Sequence, residues 1–133
     1  MPQELIEKIA LQNGLTLEIW DHSRSIAFDT DKVTLYICTA VPLDPSFCSE
    51  EAQYEKMRKC FGDSLMFEYK NERSFVAKAE RDQVFQRFID TFKKDTLPYL
   101  SKPDFARRFA LSKYRDMEKN PFQYREISSE RGI

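Results

Sequence analysis

Asp21, His22, Ser23 and Arg24 stand in a row, and two more carboxylates follow at Asp29 and Asp31. His22 is the only histidine. An Asp, a His and a Ser together suggest a nucleophilic triad. There the imidazole takes the serine proton and the carboxylate orients the ring. That chemistry needs the histidine between its two partners. Adjacent residues of an extended chain point to opposite faces, so His22 turns away from both neighbours. The spacing fits a capped turn better. Asp21 and Ser23 then hydrogen-bond local amides, and Arg24 pairs with Asp21, Asp29 or Asp31. Asp29 and Asp31 read as a solvated turn, since an acid pair alone does not specify a hydrolase.

The Asp-x-Ser at 21–23, placed after a strand, resembles part of the pattern of cyclic-di-GMP-binding PilZ domains. The resemblance covers a few residues. Ile26 stands where that pattern has Gly, and no arginine precedes Arg24. The upstream arginines that would contact phosphate and guanine are therefore missing. Cys38, Cys48 and Cys60 with His22 make four metal ligands on paper. Structural zinc takes closely spaced ligand pairs, because a short turn positions two together. No such pair exists, so free reduced thiols are expected, with no metal and no cofactor.

The third cluster lies near the C-terminus. Lys102, Arg107, Arg108, Lys113, Arg115 and Lys119 form a basic stretch, diluted by Asp104, Asp116 and Glu118. Tyr114, Met117, Phe122 and Tyr124 are interleaved with it. Aromatic, Met and Arg enrichment is the composition of a protein interface. Arg107, Arg108, Tyr114, Arg115, Met117, Phe122 and Tyr124 are the candidate interaction residues. Binding of nucleic acid through this helix ranks second, since phosphate affinity needs several uncompensated cations and no RNA- or DNA-binding motif accompanies them.

These residues need elements to position them. Leu5, Ile6, Ile9 and Ala10 are spaced for a short amphipathic helix over 3–12, ended by Asn13-Gly14. Leu15, Leu17 and Ile19 alternate as a strand, and Val33, Leu35, Ile37 and Val41 as a second. The connection 21–31 is long for a hairpin, so Ile26 and Phe28 within it add a strand or plug the sheet edge. Ser49 is the expected N-cap of a helix over 50–61, with Gly62 beyond its end. Leu65, Phe67 and Tyr69 predict a third strand. Asn71-Glu72 then turns into a short fourth, 74–79. Val84, Phe85, Phe88, Ile89 and Phe92 mark a helix over 80–96 that Pro98 ends or kinks. Pro103 opens a last helix, 103–119, whose Phe105 and Phe109 are expected against helix 80–96.

The fold class is α+β, a two-layer domain with an antiparallel sheet of about four strands and helices on one face. The expected order is α-β-β-α-β-β-α-α. The 133 residues suit one domain, with 128–133 as a tail. Net charge is −1, which gives no strong field for nucleic acid or anionic membrane. The uncharged run 33–43 is far shorter than the roughly 20 residues a bilayer span needs. Acids near the N-terminus do not suit a signal peptide. Together these point to a cytoplasmic, non-enzymatic interaction or regulatory module. Its expected partner is a protein, most simply a second copy in a homodimer. An enzyme using the 21–31 connection ranks third.

Overall fold

The computed structural model describes residues 3–119. They form an α+β fold with an antiparallel sheet of five strands. The strands are β1 (Glu4–Ala10), β2 (Thr16–Asp21), β3 (Arg24–Ala27), β4 (Thr30–Pro42) and β5 (Ser64–Ala77). The helices are α1 (Glu51–Phe61), α2 (Arg81–Asp95), the single turn α3 (Leu97–Leu100) and α4 (Phe105–Lys119). Strand order is β1-β2-β4-β3, and β5 also pairs with β4. No helix among the described residues is long and apolar enough to cross a membrane.

The chain divides into two compact units. One holds residues 3–39 and 68–102, the other 40–67 and 103–119.

In the first unit, the segment expected as a helix is strand β1. It pairs antiparallel with β2, Lys8 opposite Glu18 and Ile9 opposite Leu17. A bulge between Leu5 and Glu7 interrupts the strand. One extra residue breaks the two-residue alternation, so Leu5 and Lys8 face alike at a spacing of three. Ten residues are also too few for a stable helix without packing. Asn13-Gly14 serves a hairpin instead of a helix end. Leu11 N–H donates to Leu15 C=O at 2.8 Å and Gly14 N–H to Leu11 C=O at 3.0 Å. Gly14 sits at φ 92, which a side chain would resist. Asn13 Nδ2 donates to Leu100 C=O at 2.8 Å and Lys102 C=O at 2.9 Å, holding the end of α3.

β2 and β3 pair with successive parts of β4, Asp21 opposite Leu35 and Arg24 opposite Lys32. The 21–31 connection thus supplies an extra strand, as one expectation had it. Its apolar residues do not plug the sheet edge, since Ile26 is exposed and Phe28 at the turn is 97% exposed. Leu17, Ile19, Val33, Leu35 and Ile37 share the fully buried face. Each such side chain contributes roughly 1.5–3 kcal/mol by leaving water. α2 covers that burial with Val84, Phe88, Ile89 and Phe92. Phe92 meets Tyr69 at 5.1 Å between ring centroids. Pro98 starts the turn α3 rather than kinking α2.

β5 runs unbroken where two strands were expected. Asn71-Glu72 does not turn, because a two-residue hairpin wants Gly at its second position. Glu72 instead stays in the ladder region, bridged to Lys32 and Lys70 at 3.5 Å each. The strand's one irregularity is Phe75, exposed and at φ 60.

In the second unit, Met57 and Cys60 of α1 and Ala110, Tyr114 and Met117 of α4 form one buried cluster. Leu43, Phe47 and Leu65 pack against it. The ring partner of Phe105 and Phe109 is Phe67 of β5, at 5.5 and 5.6 Å. α1 begins one residue later than Ser49 predicts. Glu50 is its N-cap and makes no side-chain cap bond. Gly62 ends it at φ 83, as expected for a residue free of Cβ strain.

Candidate functional site

The strand pleat separates the cluster at 21–24. Asp21 and Ser23 lie on the buried face at 8% and 3% exposure. Ser23 N–H donates to Asp21 Oδ1 at 2.9 Å, and Thr34 N–H on the neighbouring strand to Ser23 Oγ at 3.0 Å. His22 turns the other way and stacks on Tyr36, 4.7 Å between centroids. No Ser–His hydrogen bond joins them, so no triad forms. Arg24 is exposed and pairs across the strands with Lys32.

The cations on the aspartates come from elsewhere. Arg81, first residue of α2, reaches Asp21 Oδ2 at 3.0 Å with Nη2 and Asp31 Oδ2 at 3.3 Å with Nε. Lys78 Nζ reaches Asp31 Oδ1 at 2.5 Å and Ser25 Oγ at 3.0 Å. Asp31 is thus buried and doubly paired, not solvated as the sequence suggested. The cluster clamps the strands to the start of α2. Its polar atoms are paired with one another.

The opposite sheet face carries Glu18, Trp20, His22, Tyr36 and Cys38. Trp20 Nε1 donates to Glu18 Oε1 at 3.0 Å, and Cys38 Sγ lies 3.8 Å from the same oxygen. Tyr36 Oη donates to Glu68. That bond, with added burial, holds the Tyr36 phenol well above the usual tyrosine range. Burial, reinforced by Glu18, pushes the Cys38 thiol up. These bonds use the polar tips of the aromatic face.

The second unit holds a different arrangement. An open groove of about 290 Å³ is lined by Phe47, Ser49, Gln53, Arg107, Leu111, Tyr114, Arg115 and Glu118. Arg107, Leu111 and Arg115 fall four residues apart on α4, so they form one stripe. Phe47, Ser49 and Gln53 come from the segment leading into α1 and its first turn. Burial raises the Tyr114 phenol, and Glu118 beside it adds to the effect. Burial also raises the Cys48 thiol, while Arg107 opposes it. Among the described residues, neither Arg107 nor Arg115 forms an ion pair with a carboxylate.

Three of the candidate interaction residues, Arg107, Tyr114 and Arg115, therefore line one groove. Arg108 points elsewhere and is tied to Asp104 at 2.6 Å. Tyr114 and Met117 are also part of the buried cluster, at 8% and 6% exposure. Their packing is spent within the chain. Phe122 and Tyr124, like the tail 128–133, lie outside the described residues. Sequence reasoning missed Phe47, Ser49, Gln53 and Leu111, and took Glu118 only as an acid diluting the basic stretch. Leu111 had a signal, its place midway between two arginines on a helix. The other three are brought in by the fold from more than fifty residues away.

Cys38 lies on the sheet face, whereas Cys48 and Cys60 share the cluster of the second unit. Cys48 Sγ lies 3.4 Å from Met57 Sδ, and Cys60 is buried in the same cluster. Among the described residues, no group of three or more His, Cys, Asp or Glu is placed to hold a metal ion. No protein family, curated protein or solved structure matches this chain.

Proposed function

We propose that the chain is a non-enzymatic interaction or regulatory module of the cytosol, holding a protein partner in the groove of its second unit. One observation carries this reading. Two guanidiniums, neither of them paired with a carboxylate among the described residues, flank the apolar side chain of Leu111 on an open surface. Arg is favoured where carboxylates are bound bidentately, and aromatic and apolar floor supplies the desolvated centre of an interface. Glu118 is turned to Tyr114, which leaves the arginines to an outside acceptor.

Protein is favoured over nucleic acid by how the other cations are used. Arg108 is paired with Asp104, and Lys113 lies over the Phe109 ring at 5.7 Å. Lys102, Arg107, Arg115 and Lys119 remain, diluted by Asp116 and Glu118. That is a thin basis for phosphate affinity, which grows with the number of uncompensated cations.

The test is capture from native lysate with the intact chain and with an Arg107→Glu/Arg115→Glu variant. Both residues are exposed, so the variant keeps its fold by circular dichroism. A partner retained by the native chain and lost by the variant is the expected result. Equal capture by both refutes the groove. Light scattering at micromolar concentration reports whether the partner is a second copy.

A further inference from the structure

We infer that the groove reads an extended acidic segment in which carboxylates at its first and fifth positions flank an apolar residue at the third. This rests on the groove being a protein-docking site, and it names what docks there. Arg107 and Arg115 are eight residues apart on α4, so their Cα atoms are about 12 Å apart at 1.5 Å rise per residue. Leu111 stands midway, about 6 Å from each. Alternate residues of an extended peptide face the same way and repeat about every 6.7 Å. Positions one, three and five of such a segment therefore match the Arg–Leu–Arg stripe in both spacing and chemistry. A helical segment would need its acids eight residues apart and would present a second full helix to a half-open groove. The extended form needs five residues.

Charge decides the sign of the occupant: two guanidiniums line the groove against one carboxylate, Glu118, which is engaged by Tyr114. Each guanidinium offers a planar fork of donors matched to a carboxylate. Ser49 and Gln53 add a hydroxyl and an amide on the opposite wall. Phe47 and Leu111 leave an apolar centre for the third residue.

The occupant does not come from these 133 residues. In this sequence the acid pairs four apart are Glu51 with Glu55, Glu68 with Glu72, and Glu126 with Glu130. Gln53, Lys70 and Ser128 stand between them, so none has the apolar middle residue.

Fluorescence anisotropy with the full chain tests this. The probes are labelled synthetic peptides GESLSEG, the charge-reversed GKSLSKG, and GEELSSG, which keeps the composition and loses the spacing. GESLSEG is expected to bind about tenfold more tightly than GEELSSG, and GKSLSKG not at all. Arg107→Gln and Arg115→Gln should each weaken GESLSEG about fivefold, the upper range for one exposed ion pair. Equal binding of GESLSEG and GEELSSG overturns the register, as does binding unchanged by both substitutions. If no peptide binds while the charge-reversal variant still loses its lysate partner, this inference fails and the docking reading stands. If both experiments fail, both are wrong.

Discussion

Replacing Arg81 with Met removes the guanidinium from two buried carboxylates while keeping most of its volume. The side chains of Asp21 and Asp31 are 10% and 7% exposed, and that of Arg81 is 26% exposed. Asp31 keeps Lys78, so it loses one of two cationic donors. Asp21 keeps only the Ser23 amide among the contacts described above. Stranding a buried charge costs about 3–5 kcal/mol. Partial exposure of Arg81 and the surviving amide bond place Arg81→Met near the low end, about 3 kcal/mol. At this chain length that is a fall of roughly 10–15 °C in Tm. Thermal and urea unfolding followed by circular dichroism measure it. The mechanism predicts more than the size. Adding Asp21→Asn to Arg81→Met removes the stranded charge, so the double variant should be more stable than the sum of singles by about 1–2 kcal/mol. A loss below 1 kcal/mol for Arg81→Met, or simple additivity in the double variant, refutes the clamp.

Two further outcomes follow from the titrating groups. The raised pKa values of Cys38 and Cys48 mean less thiolate near neutral pH, so a thiol reagent at pH 7.5 should label the native chain slowly. All three thiols should react at once in denaturant without reductant. Tyr36 keeps its proton in the fold beyond the pH, about 10, at which an unfolded tyrosine loses it. Its contribution is therefore whole below pH 10 and declines as pH rises further. Tyr36→Phe should flatten that alkaline decline, and an unchanged slope would show that Glu68 is not the cause.

The strands β2 and β4 and the helices α2 and α4 were legible because their apolar periods are clean, and α1 because of its end signals, Ser49 and Gly62. Leu17 and Ile19 repeat every two residues; Val84, Phe88 and Phe92 every four. β1 was not legible, because Leu5, Ile6, Ile9 and Ala10 do not alternate and the strand buries no apolar face that would impose a two-residue period. β5 was cut in two because Asn71-Glu72 looks like a turn. Without Gly at its second position that pair makes no tight turn, and Glu72 pairs instead with Lys32 of β4 and Lys70. The acid row at 21–31 was visible, and its opposed faces followed from the pleat. Its cations were not visible, since Arg81 is 60 residues from Asp21 and only the fold joins them. The groove was half readable. Arg107, Tyr114 and Arg115 share a helix, whereas its other wall comes from a segment that no local pattern connects to them.

The two units are interleaved along the chain, and this bears on how the protein emerges from a ribosome. Residues 3–39 leave first, with β1, β2, β3 and most of β4 ready to pair as consecutive hairpins. Their covering helix α2 is made only some forty residues later. Until then Leu17, Ile19, Leu35 and Ile37 present an uncovered apolar sheet. α1 waits longer, since Ala110, Tyr114 and Met117 of α4 complete its cluster. A nascent chain halted near residue 80 therefore shows apolar surface from both units at once. Such a chain is a substrate for a chaperone holdase, whereas one released past residue 119 has the means to bury it.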